Sequence, residues 1–183
     1  NVSVENIFPL IKKFLYSDQE IFLRELISNA TDALTKMQHL SNIGEFKGEI
    51  GDLGVELKID KKAKKLHIID NGVGMTSDEV KKYIIDGAFS GAEEFLEKYK
   101  ETSKDTGIIG HFGLGFYSSF MVSDKVEIIT KSYKDEPAAH WICDGSPEYS
   151  LKKSEKIERG TEIILHISKA VSYTHLRAHE TSQ

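Results

Sequence analysis

Three oxygen-bearing side chains follow one another at helical spacing in the first quarter of the chain. Glu25, Asn29 and Asp32 are separated by intervals of four and three residues. At about 100° per residue, they share one narrow stripe of a helix, bordered by apolar side chains. Carboxylate and amide oxygens suit proton transfer and the binding of hard cations, so the stripe could line a reactive pocket. It could equally be the solvated edge of an ordinary amphipathic helix, although Asn and Asp are poor interior helix formers.

A second candidate is Asp70-Asn71-Gly72-Val73-Gly74-Met75, at the end of a predicted strand. Asn-Gly alone is a strong hairpin signal, but a predicted capped helix follows here instead of a second strand. A carboxylate at a strand end can accept a hydrogen bond, and the glycines after it let another molecule approach the backbone. This arrangement suits recognition of an amino group on a planar base.

The third candidate is the glycine-rich run from Gly107 to Phe116, which leads into a predicted helix. Such a run exposes backbone N–H groups and a helix N-terminus, both of which can hold phosphate oxygens. It lacks the Gly-Lys-Ser or Gly-Lys-Thr of a P-loop and the third glycine of a dinucleotide fingerprint. Taken alone, it is more simply interpreted as a flexible loop.

The order of the three motifs is more specific than any one of them. Glu-x3-Asn-x2-Asp-Ala, then Asp-x-Gly-x-Gly, then Gly-x2-Gly-x-Gly resembles the ATP-binding fold shared by gyrase B subunits, mismatch-repair MutL proteins, histidine kinases and heat-shock protein 90 chaperones. The residues that flank the motifs resemble the N-terminal domain of the heat-shock protein 90 family, closest to its bacterial members. These flanking stretches are Glu20 to Ala30, Ile109 to Ser118 and Arg159-Gly160-Thr161, and the resemblance covers roughly residues 2–169.

The resemblance implies a role for each matching residue. Glu25 would be the general base that activates water for attack on the γ-phosphate of ATP, and Asn29 would supply an oxygen to Mg²⁺. Asp32 would support the pocket floor, and Asp70 would accept a hydrogen bond from the exocyclic amine of adenine, helped by Thr161. The other residues implied to bind ATP or ADP are Ala33, Gly74, Met75, Gly110, His111, Phe112, Gly113, Leu114, Gly115 and Phe116. Residues 86–115 would form a lid over the nucleotide, although Asp86 and Phe89 depart from the family pattern there.

The function implied by the resemblance is that of a molecular chaperone in which ATP binding drives lid closure. Its partners would be client proteins and, in a full-length chain, a second copy forming a homodimer. The isolated domain would be monomeric, because most of the family's first strand, which exchanges between protomers, is not in this sequence. It would hydrolyse ATP weakly, because the family completes its site with a cationic side chain from a following domain. Two alternatives stay open: a MutL-like or gyrase-like ATPase acting on DNA, and an interaction module that has lost nucleotide binding.

Composition limits the class of protein. The 183 residues are 39% hydrophobic, as in one ordinary globular domain, and the net charge of −5 offers no basic surface for nucleic acid. A lone cysteine, Cys143, favours a reducing compartment, and no apolar run approaches the roughly 20 residues that span a bilayer. We therefore expect a soluble cytoplasmic protein without a membrane partner. Residues 1–169 are predicted to form the domain, and residues 170–183 continue no upstream pattern and are predicted to be a non-native tail.

The elements that must position these motifs are predicted to be helices first and strands afterwards. Apolar periodicity predicts helices over residues 4–16 and 18–40, from Thr76 to about Ile85, and near residues 114–121. Alternating patterns predict strands over residues 55–60, 65–70, 125–132, 138–144, 149–153 and 161–167. Because regular βαβ alternation is missing, the prediction is an α+β two-layer sandwich, with helices on one face of a mixed, mostly antiparallel sheet.

Overall fold

The computed structural model describes residues 21–86, 116, 119–146 and 148–168. Two α-helices lie within these ranges: α1 (Ile21–Asn42) and the short α2 (Ser77–Val80), which continues into a π-helical turn (Lys81–Asp86). A 3₁₀ turn (Ser119–Met121) precedes the third strand. The strands are β1 (Val55–Asp60), β2 (Lys65–Asp70), β3 (Ser123–Lys131), β4 (Ala138–Cys143), β5 (Tyr149–Ser154) and β6 (Gly160–Ile167).

The strands form one sheet in the order β1-β2-β6-β3-β4-β5, and every strand pair in the described part of the chain is antiparallel. The last strand in sequence, β6, lies between β2 and β3. Asp70 of β2 is therefore paired with Thr161 of β6, and Thr161 is paired with Thr130 of β3. This register brings three polar residues, far apart in sequence, side by side at one end of the sheet.

The described residues form one hydrophobic core, which lies between α1 and one face of the sheet. The helix contributes Phe22, Leu23 and Leu26, and the sheet contributes alternate residues of its central strands, among them Leu66, Ile68, Val126, Ile128, Trp141 and Leu165. Alternation is what a sheet with one buried face requires, because successive side chains point to opposite sides. The predicted α+β sandwich is confirmed, with its helices on one face of an antiparallel sheet.

The strands lie within two residues of their predicted limits, and α1 ends two residues beyond its predicted end, while its predicted start at residue 18 lies outside the described ranges. Thr76 and Glu79 form the predicted capping box, in which each side chain accepts a hydrogen bond from the other's backbone N–H. The helix that follows is shorter than predicted, because after Val80 the backbone widens into the π-helical turn. Such turns are rare in proteins as a whole, and many of those known lie at functional sites.

Several predictions concern residues outside the described ranges. They are the helix over residues 4–16, nearly all of the lid at residues 86–115, and the tail at residues 170–183. No helix in the described part of the chain has both the length and the apolar character needed to cross a bilayer.

Candidate functional site

A cavity of about 840 Å³ lies between α1 and the end of the sheet where Asp70 and Thr161 are paired. Its volume is within the range of roughly 300–1,000 Å³ that is usual for small-molecule and cofactor sites. The described residues that line it come from both layers of the fold. They are Leu26, Asn29, Ala30, Asp32, Ala33, Thr35, Lys36, His39, Leu40, Ile68, Asp70, Val73, Gly74, Met75, Glu79, Lys82, Tyr83, Phe116, Ile128, Tyr133, Lys134, Thr161 and Ile163.

The stripe of α1 predicted from helical spacing faces this cavity. Asn29 and Asp32 line it, and Leu26, one turn before Ala30, is fully buried in the core beneath. Glu25, on the same helix, is partly buried and does not line the cavity. Its negative charge nevertheless acts on Tyr83, which is a lining residue. The pocket interpretation of this stripe is therefore favoured over a solvated edge.

The loop after β2 is held between α1 and β3 by close backbone contacts. A Cβ on Gly72 would lie 2.5 Å from the carbonyl carbon of Ala33, and the Val73 N–H donates to the Ala33 carbonyl oxygen at 3.2 Å. Gly74 has a φ of +62°, and a Cβ there would collide with the backbone carbonyl of Lys131. Larger residues do not fit at either position. Gly72 thus brings the loop against the helix that carries Asn29, and Gly74 brings it against the end of β3.

Asp70 is the most buried carboxylate of the cavity, with 7% of its surface exposed. Burial raises its pKa from the ordinary 3.8 to about 6. Hydrogen bonds from the backbone N–H groups of Gly72, at 2.9 Å, and Thr161 oppose this rise, as does the positive charge of Lys156. Asp70 is therefore ionised at neutral pH despite its surroundings. A buried anion of this kind is a strong acceptor for an amino group of a ligand.

Thr130 organises the same end of the cavity and was not singled out from the sequence. Its hydroxyl is fully buried, accepts a hydrogen bond from the Met75 N–H at 2.9 Å and lies 2.8 Å from the Thr161 hydroxyl. The alternation of β3 offers a signal that could have found it, because Thr130 occupies a core-facing position after Val126 and Ile128. A polar residue at such a position requires buried partners.

Tyr83, on the π-helical turn, is a second residue that sequence reasoning missed. Although 47% of the surface of Tyr83 is exposed, partial burial raises the pKa of its hydroxyl. A hydrogen bond with the Asn29 side chain opposes this rise, and the negative charges of Glu25 and Asp32 add to it. The tyrosine is therefore a direct neighbour of Asn29 at the helix side of the cavity.

Charges of both signs surround the cavity. Lys36 from α1, Lys82 from the π-helical turn and Lys134 after β3 are among its lining residues, together with the acidic Asp32 and Glu79. The Nζ of Lys134 lies 3.5 Å from the Oε1 of Glu79, so this lysine partly offsets the negative charge of Glu79. The remaining lysines can attract an anionic ligand. Within the described residues, no group of three or more His, Cys, Asp or Glu side chains could hold a metal ion by itself.

The structure brings most of the described candidate residues together. Asn29, Asp32, Ala33, Asp70, Gly74, Met75, Phe116 and Thr161 all line the cavity, and Glu25 lies beside it on α1. Gly110, His111, Phe112, Gly113, Leu114 and Gly115 lie outside the described residues, so their predicted contacts with phosphate stay predictions.

Comparison with known proteins adds an independent line of evidence. Residues 16–176 match the model of a family described as histidine kinase-, DNA gyrase B-, and HSP90-like ATPase. Chaperone protein HtpG of Porphyromonas gingivalis strain W83 is 59% identical over 167 residues, which are 91% of this chain and 24% of that protein. Proteins of the same name from Bacteroides thetaiotaomicron and Bacteroides fragilis are 59% and 60% identical over the same shares. The chain thus spans about a quarter of the length of these curated relatives.

Proposed function

Because the chain belongs to the family of histidine kinase-, DNA gyrase B-, and HSP90-like ATPases, we propose that it is the ATP-binding and ATP-hydrolysing part of a molecular chaperone. Membership of this family, predicted from the three ordered motifs, is confirmed. The relatives that carry the name chaperone protein HtpG support the chaperone assignment. The partners proposed for the whole protein are client proteins and, through regions beyond this domain, a second copy of the chain. We propose that the protein acts in the cytoplasm.

The observation that carries the proposal is that Asn29 of α1 and Asp70 of β2 line one cavity, together with Thr161 of β6. Asp70 would accept a hydrogen bond from the exocyclic amine of adenine. A site whose buried polar group is paired only by the correct ligand discriminates strongly against analogues that lack the partner. Gly74 and Met75 would border the base, and Thr161 would assist its recognition.

The residues at the helix side of the cavity fit a magnesium nucleotide. Asn29 offers a neutral amide oxygen, and the described residues include no group of three or more His, Cys, Asp or Glu side chains that could hold a metal ion without the nucleotide. Mg²⁺ typically takes one or two protein ligands and completes its octahedral shell with water and substrate phosphates. Bound there, it would neutralise charge on the phosphates. Lys36 and Lys82, which line the same cavity, would add to this neutralisation.

Glu25 is proposed as the general base for hydrolysis. It lies one helical turn before Asn29 on a rigid element, which suits the orientation of a water molecule toward the γ-phosphate. Phosphoryl transfer depends mainly on positioning and charge stabilisation, so few protein groups need to react directly. Residues 110–115 are proposed to wrap the phosphates, and residues 86–115 to close as a lid that excludes water. We propose that the isolated domain is monomeric and hydrolyses ATP slowly.

The alternative of a DNA-acting ATPase is not favoured. The relatives cited above are chaperones by name, and the net charge of −5 gives no basic field for a nucleic-acid backbone.

Calorimetric titration with ADP and Mg²⁺ tests the proposal. The wild-type chain should bind ADP, Asp70→Asn should not, and Glu25→Ala should bind ADP normally but hydrolyse no ATP. Asp124→Asn, which removes the charge of an exposed aspartate at the start of β3, is the matched control and should behave as wild type. Unchanged affinity in the Asp70 variant would contradict the adenine assignment. Absence of any thermal shift of the wild type at millimolar ADP would favour an interaction module, since a ligand that binds only the folded state must stabilise it.

A further inference from the structure

Arg159, the residue before β6, forms an unusual set of contacts behind the cavity. Its Nε donates to the carbonyl oxygens of Asn71 and Gly72 at 3.2 and 3.1 Å. Its Nη2 donates to the Asn71 carbonyl at 2.9 Å and to the Ile50 carbonyl at 2.8 Å. The guanidinium also lies over the ring of Phe46, 5.6 Å from the ring centre. One side chain therefore binds three carbonyl groups of two separate loops.

Asn71 strengthens the connection between these two loops. Its side-chain amide donates to the Asp52 carbonyl at 2.7 Å, and its side-chain oxygen accepts from the Gly54 N–H at 2.9 Å. The loop after β2 is thus fixed on its outer side by Arg159 and by the segment before β1. On its inner side it is fixed by the contact between Gly72 and Ala33.

Gly72 lies between Arg159 and Asp70. Its carbonyl oxygen accepts from Arg159, while its N–H donates to the Asp70 carboxylate at 2.9 Å. The Asn71 carbonyl, which Arg159 also binds, belongs to the peptide group that carries this N–H. Because a peptide group is planar, holding the Asn71 carbonyl fixes the direction of the Gly72 N–H. The orientation of the carboxylate depends on that N–H, since it is one of its two backbone donors.

We propose that Arg159 is a positioning residue for base recognition: by holding the Asn71–Gly72 peptide, it orients Asp70 and sets the preference for a base with an exocyclic amine. This role rests on the proposed function and goes beyond it, because Arg159 is not among the residues that line the cavity. It is distinct from a general stabilising role, which would affect all nucleotides alike.

The geometry explains why an arginine is needed here. Its planar guanidinium presents several N–H groups in a fixed fork, whereas a lysine ammonium is a compact charge on a flexible stem. Lysine at this position would keep the positive charge but could not hold the three carbonyls in their observed directions. Arg159→Lys therefore separates geometry from charge. Lys156→Gln supplies the complementary control, because it removes another positive charge that acts on Asp70 and leaves the fork intact.

The test compares the affinities for ADP and inosine diphosphate, which carries a carbonyl oxygen where ADP has its amine. Wild type and Lys156→Gln should prefer ADP. Arg159→Lys should bind ADP about tenfold more weakly than the wild type, because a tenfold loss of affinity corresponds to roughly one hydrogen bond. Its loss of affinity for inosine diphosphate should be much smaller. In the same variant the Gly72 amide should exchange with solvent faster, while core amides of β6 such as that of Leu165 stay protected.

The other possible results separate the positioning role of Arg159 from the adenine assignment of Asp70. Equal losses for both nucleotides, or no loss for either, would overturn the positioning role while leaving the adenine assignment intact. A wild-type chain that binds both nucleotides equally would refute the adenine assignment and this role together. If Arg159→Lys does not fold, Phe46→Leu removes the ring beneath the guanidinium and keeps all of its hydrogen bonds. It should lower the preference for ADP in the same direction by a smaller factor, and an unchanged preference in that variant would overturn the role.

Discussion

Replacing Asp70 with asparagine should stabilise the nucleotide-free protein while abolishing nucleotide binding. Burial raises the pKa of Asp70 from 3.8 to about 6, and with 7% of its surface exposed the residue is little screened by solvent. One pH unit corresponds to about 1.4 kcal/mol, so ionised Asp70 costs the folded state about 3 kcal/mol at pH 7.5. Asparagine removes this cost and keeps an oxygen that can accept from the Gly72 N–H.

The sign of the pH dependence follows from proton binding. Between pH 3.8 and about 6, the folded state holds a proton on Asp70 that the unfolded state has released. The contribution of this group to the free energy of unfolding therefore falls as the pH rises through that window, and the full cost is present above it. The cost is about 1 kcal/mol at pH 4.5 and about 3 kcal/mol at pH 7.5. Any fixed effect of the new amide group is the same at both values.

Urea unfolding at pH 4.5, 6.0 and 7.5 measures the effect. The free energy of unfolding of Asp70→Asn minus that of the wild type should increase by about 2 kcal/mol from pH 4.5 to pH 7.5, because all other titrations cancel in the difference. Asp124→Asn, at an exposed position, should show no such increase. A difference for Asp70→Asn that stays constant within about 0.5 kcal/mol would refute the argument that burial controls the ionisation of Asp70.

Three further substitutions test the supporting contacts. Gly74→Ala places a side chain on left-handed backbone and against the Lys131 carbonyl of β3, so the melting temperature should fall by more than about 4 °C. Gly54→Ala is the control, because the space around Gly54 is open, and its melting temperature should change little. Thr130→Val leaves the Met75 N–H without its acceptor and should lower the free energy of unfolding by about 1–3 kcal/mol in urea; no loss would show that another acceptor replaces the hydroxyl. Burial opposes ionisation of Glu127, but hydrogen bonds from two histidines outweigh it and lower the pKa of this carboxylate. Glu127→Gln should therefore cost about 1 kcal/mol near neutral pH, and this cost should disappear as the wild-type carboxylate is protonated in acid; a cost that persists there would contradict the assignment.

Local patterns in the sequence were sufficient to predict the elements of the fold. The alternation in β2 and β3 and the capping box at Thr76 depend on residues close together in the chain, so they can be read without knowledge of the fold. The motif order was sufficient to predict the ATP-binding fold, and the flanking residues indicated the chaperone branch. The resemblance, rather than any local pattern, placed Asn29, Asp70 and Thr161 around one predicted site. Asp70 and Thr161 lie side by side because β6 is paired with β2, and Asn29 lines the same cavity from α1, which packs on the sheet.

The partners of Thr130 and Arg159 could not be predicted in the same way. The role of Thr130 depends on the register that pairs it with Thr161, and that register is set by long-range packing. Arg159 acts through carbonyl groups of residues 50, 71 and 72, and backbone acceptors carry no signature in the sequence. The π-helical turn that carries Tyr83 was missed because its residues fit an ordinary helical pattern.

The backbone contacts of the loop after β2 have a consequence for inhibitor design. Because Gly72 and Gly74 lie close against neighbouring backbone, we expect the end of the cavity around Asp70 to keep its shape before a ligand binds. A ligand entering a preformed site loses little of its affinity to ordering the protein. Small planar fragments that carry an amino group should therefore bind with high affinity per atom, without a phosphate chain, and would be efficient starting points for competitive inhibitors.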